Sequence, residues 1–180
     1  MKFSRLAMIA RWKPLHLGQA AVIRGLCAAG GQVILGIGSS NRYNARNPFT
    51  LEETQEMLKI AIGERENVQI LPIPDLDDGP RWRLMVKETL GTLDLFVSDN
   101  PYVANLLSEF YRIERPVAFV PANERIRVNG TMVREAIARG EDWQFLVPLE
   151  IAEYILSRKL DQRIRREFGL QILADAVKYK

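Results

Sequence analysis

The sequence predicts an α/β fold, an open parallel sheet with helices on both faces and extra helices at the C-terminal end, and three observations predict it. Short runs of bulky apolar residues alternate several times with segments of helical periodicity, the pattern of parallel strands joined by crossover helices. The chain has 180 residues, enough for one buried core and too few for two full-sized ones. Its chemically distinctive residues fall just after the apolar runs, where ligands of open parallel sheets bind. Hydrophobic residues at 47% and charged residues at 26% exclude a disordered or fibrous chain. Cys27 is alone and His16 is the one histidine, so a disulfide within the chain, a cysteine cluster and a multi-histidine metal site are excluded. No apolar run reaches the roughly 20 residues of a membrane span, and the first ten residues lack the apolar centre of a secretory signal. A cytoplasmic protein without membrane contact is expected.

The elements follow in order. Strands are expected at 6–10 (L-A-M-I-A), 33–38 (V-I-L-G-I-G), 68–72 (V-Q-I-L-P), 93–98 (L-D-L-F-V-S) and 117–120 (V-A-F-V), each short, apolar and rich in branched or aromatic residues. Helices are expected between them at 17–29, 51–62, 81–90 and 101–111. Thr50 followed by Glu53 reads as a capping box, in which hydroxyl and carboxylate satisfy free amides at a helix start. Pro80 suits the first turn of the third helix. Two more helices, at 131–139 and 148–156, close a domain spanning 1–157. Residues 158–180 form a basic helical extension of it, with Arg158, Lys159, Arg163, Arg165, Arg166, Lys178 and Lys180 against Asp161, Glu167 and Asp175. That extension carries Ile164, Phe168, Ile172 and Ala176 at helical spacing and lacks interleaved aromatics, so it reads as a helix packed by its apolar stripe rather than a nucleic-acid contact.

The strand ends carry the chemistry. After the first strand come Arg11, Trp12, Lys13 and Pro14, and then a helix whose free amides point back at the loop, a natural place for phosphate. His16 and Gln19, three apart, share one face of its first turn, and Gly18 between them removes a side chain where an anion would approach. The second strand ends in G-I-G-S-S, with Gly36 and Gly38 permitting close approach, Ser39 and Ser40 offering hydroxyls, and Arg46 and Asn47 following. The third leads to Asp75, Asp77 and Asp78, suited to ribose hydroxyls, and to Trp82, suited to stack on a planar ring. The fourth ends in Ser98, Asp99 and Asn100. In V-N-G-T-M-V-R, Asn129, Gly130, Thr131 and Arg134 gather a cap, free amides, a hydroxyl and a guanidinium at one helix start. Taken singly, each segment is equally an ordinary surface loop, a glycine turn, a core tryptophan or a capped helix.

Their order carries more than any one of them. H-L-G-Q at 16–19 resembles the H-x-G-H signature of the nucleotidyltransferase superfamily, and N-G-T-M-V-R at 129–134 resembles its later I-S-x-T-x-x-R signature. More closely, R-W-K-P-L-H-L-G-Q, G-I-G-S-S, R-N-P-F-T and S-D-N-P resemble the R-x-Q-P-x-H-x-G-H, I-G-S-A, R-D-P-F-T and S-G-N-P segments of archaeal-type nicotinamide-nucleotide adenylyltransferases, over about residues 4–157. The resemblance implies a Rossmann-like sheet, a homo-oligomer, and a reaction joining ATP and nicotinamide mononucleotide to NAD and pyrophosphate, with Mg²⁺ arriving on ATP and no metal ligands on the protein. It assigns catalysis to His16, Gln19, Arg11 and Arg134, and ATP binding to Arg11, Trp12, His16, Gly18, Arg46, Asn129, Gly130, Thr131 and Arg134. It assigns the second substrate to Gly38, Ser39, Asn47, Trp82 and Asn100. Gln19 departs from the second signature histidine and cannot become a cation. Thr54 stands where the family has an arginine, and Ala10 and Asp99 stand where it has glycines. A non-catalytic nucleotide-binding protein and a cytidylyltransferase-like enzyme on another phosphorylated substrate are the other readings.

Overall fold

The computed structural model describes residues 2–178, so Lys180 of the basic extension lies outside the described residues. Five strands, β1 (Phe3–Ala10), β2 (Gly30–Gly38), β3 (Val68–Ile73), β4 (Leu95–Val97) and β5 (Ile113–Glu114), form one sheet in the order β3-β2-β1-β4-β5, with every pairing parallel. Among the described residues seven α-helices connect and follow them: α1 (Leu17–Ala29), α2 (Leu51–Ile62), α3 (Gly79–Leu90), α4 (Pro101–Leu107), α5 (Gly130–Arg139), α6 (Leu149–Ser157) and α7 (Leu160–Lys178). This is the α/β, Rossmann-like arrangement the alternating runs predict. Strand order reverses between β1 and β4, and ligands of such sheets bind beyond the carboxyl ends of the strands at that switch.

The described chain divides into two compact units. The first comprises Met1–Arg11, Ala21–Asn41 and Glu64–Arg125, and holds the sheet. Ala7 on β1 registers with Ile34 on β2 and Phe96 on β4, and these three are buried with Val86 and Leu90 of α3 and Leu107 of α4. A strand covered on both faces needs apolar residues without alternation, which is why β2 reads V-I-L-G-I. The second unit comprises Trp12–Ala20, Arg42–Gly63 and Ile126–Lys180. Within it α5 packs on α7, α2 on α6 and α6 on α7. The stripe read from the sequence buries Ile164 and Ile172.

Two expectations are corrected. The V-A-F-V run at 117–120 is not a strand: Pro116–Phe119 forms a 3₁₀ turn, and the fifth strand is Ile113–Glu114, one residue upstream of it, which registers with Phe96 and Val97. Pro116 fixes φ for a tight turn and supplies no amide to a ladder, and a four-residue apolar run fits either structure. The fourth strand starts at Leu95 rather than 93, because the Asp94 carboxylate turns aside to accept the backbone N–H groups of Ser4 (2.5 Å) and Arg5 (3.0 Å).

Candidate active site

In the second unit the loop after β1 and the start of α5 are joined by one guanidinium. Arg134 is only 8% exposed; its Nη1 donates to the Lys13 carbonyl (3.0 Å) and its Nη2 to the Thr131 hydroxyl (3.0 Å). The sequence explains how it gets there. Asn129 caps α5 by accepting from Met132 N–H (3.0 Å), and a Cβ on residue 130 would lie 3.0 Å from Arg134 Nη1, so glycine keeps that path open. Thr131 and Arg134, expected to face an anion together, first bond each other, which fixes the fork in place.

His16 lies close enough to this group to feel its charge. Its Nδ1 accepts from the Gln19 backbone N–H at 3.4 Å, which leaves Nε2 as the nitrogen that carries the proton. Burial, then the positive charge of Arg134, pushes its pKa down from 6.5 to about 4. The imidazole is therefore neutral at pH 7 and acts as an N–H donor; the positive charge beside it belongs to Arg134. The Gln19 side chain is turned inward, with its Oε1 buried and unpartnered, an acceptor waiting for a donor. At Gly18 a Cβ would meet the His16 ring at 3.3 Å and the Val128 carbonyl at 3.4 Å. The glycine thus lets residues 126–129 pass close over the helix start, and its space is bounded by protein on two sides.

Trp12, expected to contact ATP, is completely buried and has φ 56°, a region costly for a side-chain-bearing residue. Arg46 is exposed, and its backbone N–H donates to Asn44 Oδ1 (3.1 Å). Asn47 is 5% exposed; its amide donates to the same Asn44 oxygen (3.1 Å), while its own Oδ1 is buried without a partner. A structural role the sequence did not reveal belongs to Arg163 of α7. It donates to the Pro48 carbonyl (3.0 Å) and to both carboxylate oxygens of Glu53, the partner of Thr50 in the capping box, and so braces the loop carrying Arg46 and Asn47. A single arginine in a basic tail carries no sequence signal for a partner 110 residues away. Thr54 is fully buried and donates to the Thr50 carbonyl (2.7 Å), so its position is internal to α2.

The first unit holds the remaining residues at the carboxyl ends of its strands. Arg11 follows β1 and is exposed. Gly38 ends β2 where a Cβ would meet Ile9 at 3.2 Å, and Ser39 turns the chain with φ 53°. Trp82 lies in the first turn of α3, half-buried against the Phe96–Val86 core, with one part left to the surface. Asn100 spends its side-chain oxygen on capping α4, accepting from Tyr102 (3.0 Å) and Val103 (3.4 Å). Asp99 pairs with Arg115 at 2.9 Å, which offsets the negative charge its position introduces. Among the described residues no group of three or more His, Cys, Asp or Glu is arranged to hold a metal ion, and no helix is long and apolar enough to cross a membrane. What the second unit offers chemically is a cationic fork, a neutral N–H donor and free helix-start amides, all suited to phosphate oxygens.

No family model matches the chain. It is 31% identical over 165 residues to the nicotinamide-nucleotide adenylyltransferase of Methanococcus vannielii, covering 90% of this chain and 94% of that protein. It is also 31% identical over 165 residues to the nicotinamide-nucleotide adenylyltransferase of Saccharolobus solfataricus, covering 88% and 94%. Among solved structures, a bifunctional NMN adenylyltransferase/ADP ribose pyrophosphatase from Francisella tularensis, complexed with AMP and a manganese ion, superposes with a TM-score of 0.67 at 18% identity. That match covers 92% of this chain, which spans about half, 52%, of the larger protein.

Proposed function

The chain belongs to the nicotinamide-nucleotide adenylyltransferase family, and from that premise we propose that it joins ATP and nicotinamide mononucleotide into NAD and pyrophosphate. The observation that carries the proposal is Arg134, held by the Lys13 carbonyl and the Thr131 hydroxyl beside a neutral His16. In the reaction an oxygen of the mononucleotide 5′-phosphate attacks the α-phosphorus of ATP. The new P–O bond forms as the bond to the β-phosphate oxygen breaks, and the electron pair leaves with pyrophosphate. No protein nucleophile takes part, so the residues align two phosphates and disperse charge. Arg134 and the amides at the start of α5 hold the triphosphate, the Nε2–H of His16 donates to the α-phosphate, and Arg46 and Arg11 add cations for the outer phosphates. Trp82 offers its exposed part to the nicotinamide ring. Mg²⁺ would enter on the triphosphate, because this cradle is built of cations and amide donors rather than carboxylates, and it would there offset the phosphate charge that Arg134 and the amides also face.

Gln19 favours a second reading, a nucleotide binder with little turnover. Its amide donates a hydrogen bond without charge, and a charge-assisted bond is roughly twice as strong. One assay separates the two: pyrophosphate and NAD release from ATP, Mg²⁺ and nicotinamide mononucleotide. Turnover supports the enzyme, whereas tight ATP binding with no product from the wild-type chain or from Gln19→His supports the binder. In the active protein, chelation by EDTA abolishes product and excess Mg²⁺ restores it, while the melting temperature without ATP stays the same.

A further inference from the structure

A cavity of about 720 Å³ lies in the first unit at the amino ends of the strands, the opposite edge of the sheet from Arg11, Ser39 and Asn100. It lies between the beginning of β1, the second half of α1, the starts of β4 and β5, and the 3₁₀ turn Pro116–Phe119 with the residues after it. Pockets of roughly 300–1,000 Å³ are the size that holds small organic molecules. None of the residues assigned to ATP or to the mononucleotide lines it.

Its walls have two characters. One is apolar, with the Phe3 and Phe119 rings 6.4 Å apart and tilted by 53°, beside buried Leu95 and Val120. The other is cationic, with Lys2, Arg24, Arg112 and Arg125 against only Glu114 and Glu124. Glu124 is already turned to Arg24 (3.4 Å), and Glu114 accepts the Arg115 backbone N–H (3.0 Å). Among the described residues Lys2, Arg112 and Arg125 make no ion pair, and the four cations of the concavity outnumber its two carboxylates. Clustered like charge in a cleft attracts an ion of opposite sign. Arg125 is also pre-positioned. Its Nε donates to the Val120 carbonyl (3.3 Å) and its Nη2 to the Val117 carbonyl (3.4 Å), which leaves further N–H donors of the same rigid fork for an anion. Gly25 sets the depth of the site: a Cβ there would lie 1.9 Å from the Phe119 carbonyl oxygen, so only glycine lets the 3₁₀ turn close against α1.

We propose that this pocket binds a small aromatic anion, with its ring against Phe3 and Phe119 and its carboxylate or phosphate on Arg112 and Arg125. The site is independent of the adenylyl-transfer reading. The test titrates the full chain with the aromatic sulfonate 8-anilinonaphthalene-1-sulfonate under saturating Mg²⁺ and ATP, following dye fluorescence, with far-ultraviolet circular dichroism confirming that each variant folds. Saturable binding of one dye per chain is expected, weakened about tenfold or more in the Arg112→Gln/Arg125→Gln double variant. Displacement by phenyl phosphate points to a phosphate head group and displacement by benzoate to a carboxylate; either supports the pocket. Gly25→Ala, which pushes the turn outward, should also weaken the dye. Equal affinity in the folded double variant, no saturable binding, or displacement by neither anion overturns the proposal. So does sedimentation showing that the wild-type chain self-associates and the double variant does not, which would assign the face to a second copy.

Discussion

Arg134 joins the loop after β1 to the start of α5, and its bonds to the Lys13 carbonyl and the Thr131 hydroxyl use separate nitrogens of a planar fork. Lysine keeps the charge and loses the fork, so Arg134→Lys should lower the rate of pyrophosphate release by about 10²-fold or more while leaving the circular dichroism spectrum unchanged. The adjoining imidazole makes a separate prediction about pH. Folded, His16 stays neutral down to about pH 4, whereas the unfolded chain takes up that proton near 6.5. Between those values the unfolded state binds more protons, so stability present above pH 6.5 is lost as pH falls toward 4, by at most about 3 kcal/mol. Thermal melts of wild type and His16→Gln across that window should show the variant losing less. Gln19→His should raise the rate of NAD formation, since it restores a side chain able to carry charge where an amide now has an unmet acceptor.

Elements are held in register with one another by their ends. Asn129 is the side chain that starts α5, and Asn129→Ala should cost about 1 kcal/mol, lowering the melting temperature by roughly 2–4 °C in a chain of this size. Arg163 and Glu53 join α7 to the first turn of α2, with side chains 21% and 14% exposed. A double-mutant cycle with Arg163→Ala and Glu53→Ala should give a coupling energy of about 1–2 kcal/mol in denaturant unfolding, above the range of exposed pairs. Caps such as Thr50–Glu53 were legible in the sequence because their chemistry is complete within four residues. The Arg163 brace was not, because nothing local to α7 names its distant partner. The fifth strand was misplaced for a related reason: two residues are too few to leave a period, and the longer V-A-F-V run beside them drew the assignment away.

At the level of the whole molecule, the parallel sheet was legible because β1, β2 and β4 announce themselves by apolar runs that end at arginine or serine, and β3 by Val68, Ile70 and Leu71. The candidate site was legible as a set of segments. Which contacts those segments make was not, since Thr131, Asn100 and Trp12 have side chains or rings that satisfy the protein before any ligand arrives. The same sheet order has a consequence for biosynthesis. β1 lies in the middle of the sheet and leaves the ribosome before the other four strands, while β2 and β3 extend one flank and β4 and β5 the other. A nascent polypeptide can therefore enlarge its hydrogen-bonded ladder outward from a template made at the outset, and no late strand has to wedge between neighbours already zipped together.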